Sequence, residues 1–145
     1  MKYLIYLLTV GFINLALAED LTRQKPIEKV VYFKGSLGIK HYYEPNKLIF
    51  KTGKLYKLIL SNSSDSKHYF SSDAFSKAIF TRKIQINFNN KKLAEIKGII
   101  QEVEVWPNHE VEWWFVPIKS GFFTNISIAF ISSWGAFGRT NTPFL

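Results

Sequence analysis

The sequence predicts an all-β protein, an antiparallel two-sheet β-sandwich with one short helical excursion. Two observations carry this. Apolar residues recur at every second position in several short runs, and Gly, Pro and Asn separate those runs. The 145-residue chain is the size of one ordinary domain, with no internal repeat and no interdomain linker.

Each element follows in order. "MKYLIYLLTVGFINLALAED" opens with Lys2, continues as an apolar stretch from Tyr3 to Leu17 and closes on Ala16-Leu17-Ala18. A basic start, an apolar core and a small-residue site describe a secretory signal over residues 1–18, cut before Glu19. The apolar run is short for a membrane anchor, and the cleavage-type site follows it directly. Residues 19–145 are then the exported domain, expected in the periplasm or outside the cell.

"VVYFKGSLGIKHYYEP" gives a strand, a turn marked by Gly35 and Gly38, and a second extended segment. "KLIFKTGKLYKLILSNSS" gives Leu48 and Phe50, a turn at Thr52-Gly53, then Tyr56, Leu58 and Leu60. A polar turn follows and leads into His68. "SSDAFSKAIFTRKI" is the helical excursion, with Ser72 or Asp73 as its cap and Phe75, Ile79 and Phe80 turned inward. "IQEVEVWPNHEVEWWFVPIKSGFF" alternates through Ile100, Val103 and Val105, breaks at Pro107-Asn108 and resumes with Val111, Trp113 and Phe115. Leu58, Leu60, Val103, Val105 and Phe115 are the expected core. Trp113 and Trp114 must face opposite ways; Trp113 reads as core, and Trp114 stays open between core and docking surface.

The chain contains no cysteine, which removes disulfides, thiolate nucleophiles and thiolate metal ligands together. The formal charge is +8, and removing the signal with its single Lys2 leaves 8 − 1 = +7. "TRKIQINFNNKK" concentrates Arg82, Lys83, Lys91 and Lys92. On alternating strands of an exported protein these read as a solvated face, and no nucleic-acid partner is expected. An anionic membrane surface and an acidic or other periplasmic protein partner stay open, and the exported chain carries no run long enough to span a bilayer. Glu102, Glu104, Glu110 and Glu112 alternate and should share one solvent face, not an acid–base cleft. No nucleophile elbow, phosphate-cradling glycine loop or His-Glu-x-x-His helix is present, so no enzymatic activity is expected.

Phe50, Gly53, Tyr56, Leu58, Leu60 and Asn62, then His68, Phe70 and Phe75, then Val103, Val105, Pro107, Val111, Glu112, Phe115, Val116, Pro117, Gly121 and Phe123 form a pattern over residues 43–123. This pattern resembles that of bacterial periplasmic cupredoxins. The resemblance implies a cupredoxin-like sandwich and places His68 at the family's first copper-ligand position. A blue-copper centre also needs a second histidine, a cysteine thiolate and a weak axial ligand such as methionine. The segment "TNISIAFISSWGAFGRTNTPFL" has none of these. Ser127 stands where the resemblance puts the cysteine, Gly138-Arg139 resembles the family's Gly-Met, and Met1 lies in the signal. The expected protein is therefore an accessory or binding module in copper or metal handling that lacks a blue-copper centre. The alternative is a weak Cu(II) or Zn(II) carrier using His68, with copper as the possible cofactor. From the residues alone His68 reads as an exposed turn histidine and His109 as another. His41, His68 and His109 lie 27 and 41 residues apart, which gives no local chelate.

Overall fold

A computed structural model describes residues 20–36, 41–123 and 127–131. The proposed signal segment and Gly138-Arg139 lie outside the described residues. The strands in chain order are β1 (Ile27–Lys34), β2 (Tyr42–Glu44), β3 (Lys47–Lys51), β4 (Tyr56–Asn62) and β5 (His68–Ser71). Helix α1 (Asp73–Ala78) follows, then β6 (Ile79–Phe88), β7 (Lys91–Ile96), β8 (Glu102–Val105), β9 (His109–Pro117), β10 (Gly121–Phe123) and β11 (Ser127–Ile131). One sheet has the order β2-β1-β4-β9-β6-β7; β10-β11-β3 and β5-β8 form two smaller ones.

The alternation read from the sequence is the alternation of burial. Strand β4 places Tyr56, Leu58, Leu60 and Asn62 inside and turns Lys57, Ile59 and Ser61 outward. Across the interior, Leu48, Phe50, Phe70, Val103 and Val105 of the smaller sheets meet Val31, Phe33, Val111, Trp113 and Phe115 of the large one. The fold is thus an all-β sandwich, and all five expected core residues are buried. The pairing is mixed, not wholly antiparallel: β1 runs parallel to β4, and β11 parallel to β3. Periodicity fixes which face of a strand is apolar but says nothing about the direction of its neighbour.

Helix α1 starts where expected. The Ser72 hydroxyl accepts a hydrogen bond from the Phe75 N–H, which supplies a partner to a helix-end donor. Phe75 and Ile79 are buried, but Phe80 is 52 % exposed, against expectation. The helix ends at Ile79 in extended backbone, so the period changes from 3.6 to two at that residue. Ile79 then points in and Phe80, opposite Val116, points out. The Asn89-Asn90 turn between β6 and β7, with φ of 48° and 60°, has the double positive-φ geometry of a tight hairpin.

The four glutamates do not share a face. Glu102 and Glu104 lie outside the β5-β8 sheet, and Glu110 and Glu112 outside the large sheet. Trp113 is buried and donates from its indole N–H to Thr81 Oγ1 at 3.1 Å. Trp114 is half-buried on the outer face, where its N–H donates to Glu112.

Candidate functional site

His68 opens β5 opposite Val105 and shares the inward phase of Phe70. It is 3 % exposed and stacks on Phe33, ring centres 5.4 Å apart, so it is a buried strand residue and not an exposed turn histidine. The turn that precedes it is closed by Asn62. The Asn62 amide donates to the Ser66 and Val105 carbonyls, each at 2.8 Å, and its oxygen accepts from the N–H and hydroxyl of Ser64. An asparagine that satisfies local backbone groups in this way makes the turn without help from His68.

The structure brings His41 to this point. His41 directly precedes β2, which pairs antiparallel with β1 and sets Tyr43 opposite Phe33. The Tyr43 ring meets Phe33 edge-on at 5.2 Å, and its hydroxyl donates to the Tyr69 carbonyl of β5. With β2 tied down at Tyr43, the exposed His41 ring lies 4.2 Å from His68, and its Nε2 lies 3.1 Å from Ser66 Oγ. The pair joins residues 27 positions apart, which local spacing does not disclose. His109 is not part of it: the ring is exposed and its Nδ1 lies 2.7 Å from the Pro107 carbonyl of its own turn.

The chemistry of the pair follows from burial. His68 Nε2 is buried with no hydrogen-bond partner among the described residues. An imidazole nitrogen without a proton presents a lone pair, and burying that lone pair unpaired is unfavourable. Burial, and secondarily the neighbouring His41, lowers the His68 pKa; Asp65 acts in the opposite direction. The ring is therefore held neutral at neutral pH, the form that can ligate a metal ion.

The same shift has a stability consequence. Below a pH of about 6.5 an unfolded histidine takes up a proton that folded His68 resists, so the unfolded state binds more protons. The contribution of His68 is complete above that pH and is lost as pH falls through the lowered folded value. In chelator-containing buffer, the urea midpoint should drop further between pH 7.5 and pH 5.5 for the native protein than for His68→Gln. Equal drops in both would refute this account.

Among the described residues no group of three or more His, Cys, Asp or Glu is arranged to hold a metal ion. The site has two imidazoles, with the Ser66 hydroxyl beside them. Ser127 opens β11 opposite Lys47.

No protein-family model matches the chain, and no characterised protein matches it in sequence. Among solved structures it is similar to a multicopper oxidase from Campylobacter jejuni, at a TM-score of 0.48 and 17 % identity, covering 69 % of this chain and 26 % of the oxidase. It is also similar to a blue copper oxidase from Nitrosomonas europaea, at a TM-score of 0.42 and 16 % identity, covering 71 % of this chain and 43 % of that one. The chain spans less than half the length of either oxidase.

Proposed function

We propose that this chain is an exported, non-catalytic metal-handling module that binds one Cu(II) or Zn(II) ion weakly through His41 and His68. The observation that carries this reading is the buried, unpartnered Nε2 of His68 beside a second imidazole. Two imidazoles on one ion, with metal–nitrogen bonds near 2.0 Å, place their ring centres about 4.4–5 Å apart in adjacent coordination positions. The observed ring centres, 4.2 Å apart and tilted by 36°, lie close to that range, and His41 is the exposed member of the pair. Imidazole suits both ions, and two protein ligands fall short of the usual four, which accounts for weak binding.

A blue-copper centre does not fit these residues. The in-plane thiolate that defines it requires a cysteine, and the chain has none. His41 and His68 would supply a nitrogen environment instead, and the protein's role would be to hold or pass on the ion without a redox step. Export rests on the leader over residues 1–18, and an intact mass of exported protein beginning at Glu19 tests it.

Copper titration of the metal-free protein should give a weak, nitrogen-rich Cu(II) spectrum with no intense visible band. His41→Ala and His68→Ala should each weaken binding by about tenfold or more, since either removes half of the imidazole set. Affinity should fall as pH drops through the histidine range, because protonated imidazole cannot ligate. Unchanged affinity and stoichiometry in both variants would sink the proposal.

A further inference from the structure

The outer face of the large sheet carries a second arrangement, unconnected to the histidines. Trp114 sits there with three cations over its ring: Lys83 Nζ at 4.7 Å from the ring centre, Lys57 Nζ at 5.7 Å and the Arg82 guanidinium at 5.8 Å. Two of them come from one device. The β6–β9 register steps from Thr81 opposite Phe115 to Lys83 opposite Trp114, which leaves Arg82 as the extra residue of a β-bulge. A bulge re-aims side chains and breaks strict alternation. Without it, Arg82 and Lys83 would point to opposite faces; with it, both reach the same indole.

Beside them lies a depression of about 280 Å³ lined by Thr22, Phe80, Arg82, Lys83, Glu95 and Lys97. Its charges do not balance. Glu95 is the nearest carboxylate to the lysines, at 3.7 Å from Lys83, 3.1 Å from Lys92 and 3.5 Å from Lys97. Lys57 is neutralised separately by Glu28 at 2.6 Å, and Glu112 is occupied by Trp114 and Asn87. Among the described residues no carboxylate lies within ion-pair distance of Arg82; Asp20 is a more distant electrostatic neighbour, already held by Thr22 and Arg23. Among the lining residues the one carboxylate of Glu95 faces Arg82, Lys83 and Lys97, with the Glu112 carboxylate further off beside Trp114, and the Lys83 side chain is only 16 % exposed. Gathering like charges on a partly desolvated surface is unfavourable unless an anion joins them.

We propose that this depression binds a phosphate group, with Arg82 and Lys97 as the principal contacts, Lys83 behind them and the exposed Phe80 against the apolar part of the ester. A planar guanidinium fork matches phosphate oxygens, and ammonium groups add point charge. The volume is below that of a drug-sized pocket and suits one such group with its first ester atoms. Two sources share this chemistry, an anionic phospholipid headgroup and a soluble phosphoester.

The test measures binding of the full exported chain to three probes at matched ionic strength. These are vesicles of phosphatidylglycerol in phosphatidylcholine, vesicles of phosphatidylcholine alone, and inorganic phosphate followed by amide NMR shifts. Binding to the anionic vesicles alone identifies the lipid source. Amide shifts at residues 80–83 and 95–97 with phosphate, absent with chloride, identify the soluble source. In either case the Arg82→Gln/Lys97→Gln double variant should bind about 25-fold more weakly, from about fivefold per cation removed. Lys47→Gln/Lys51→Gln, on the outside of β3, should keep nearly native affinity. The proposal is overturned if neither probe binds, or if the two double variants weaken binding equally. All four positions lie outside the buried core, so far-UV spectra should match the native protein and separate lost binding from lost folding.

Discussion

Phe115→Ala is expected to destabilise the protein by about 3–5 kcal/mol, the cost of deleting a fully buried aromatic side chain. Phe115 is completely buried on the central strand β9. Its ring meets Phe50 and Phe75 edge-on, each at 5.2 Å, and lies 6.0 Å from Tyr56 in a stacked arrangement. Phe50 belongs to the three-stranded sheet, Phe75 to the helix and Tyr56 to the large sheet, so one ring ties these elements together. Edge-to-face pairs contribute beyond the area they bury, and the cavity left by alanine would have no disulfide to resist its effects. Urea denaturation gives the number directly. A cost below about 1 kcal/mol would belong to a surface position and would contradict the packing described.

The second large effect is expected at Asn62. Asn62→Ala should cost about 3 kcal/mol, because it strands the Val105 carbonyl and the Ser64 N–H at a buried position, while the Ser66 carbonyl keeps the Ser64 hydroxyl as a donor. An unmade buried hydrogen bond costs about 1–3 kcal/mol, and relaxation or water entry recovers part of the sum. The variant should also lose metal affinity, since the turn that delivers Ser66 and His68 would no longer be fixed. Denaturation and copper titration on the same preparation read both effects. A stability change below about 0.5 kcal/mol, with the copper affinity intact, would show that the turn closes without this side chain.

The parts of the fold that are local in sequence were legible, and the parts that depend on partners were not. Period-two burial in β4, β8 and β9 as far as Phe115 could be read residue by residue, because a strand with one face in a core must alternate. The polar run before His68 invited a turn reading that extended one residue too far. The corrective signal was present: His68 and Phe70 are two apart, so a buried Phe70 carries His68 to the same side. His41 had no such signal, since its approach depends on β2 folding back along β1 and on Tyr43 bonding to β5. Alternation within each strand is visible in the sequence and puts the glutamates on one face, whereas the division of β8 and β9 between two sheets is not visible there. Alternation alone leaves Arg82 on a solvated face for the same reason: a bulge is a property of a strand pair, not of one strand.

The parallel pairing of β1 with β4 has a consequence for how the chain comes to be folded at all. Strand β1 docks beside a strand made after it, and β4 in turn waits for β9 before its other edge is covered. In the large sheet the β6–β7 and β1–β2 ladders join consecutive strands, whereas β1–β4, β4–β9 and β6–β9 join segments further apart in the chain. Such topologies fold slowly, because loop-closure entropy is lost before the long-range contacts repay it. A slow folder stays extended longer, the condition in which a polypeptide can be threaded through a narrow translocation pore. The late arrival of β9 would thus delay assembly of the core until most of the chain has been made.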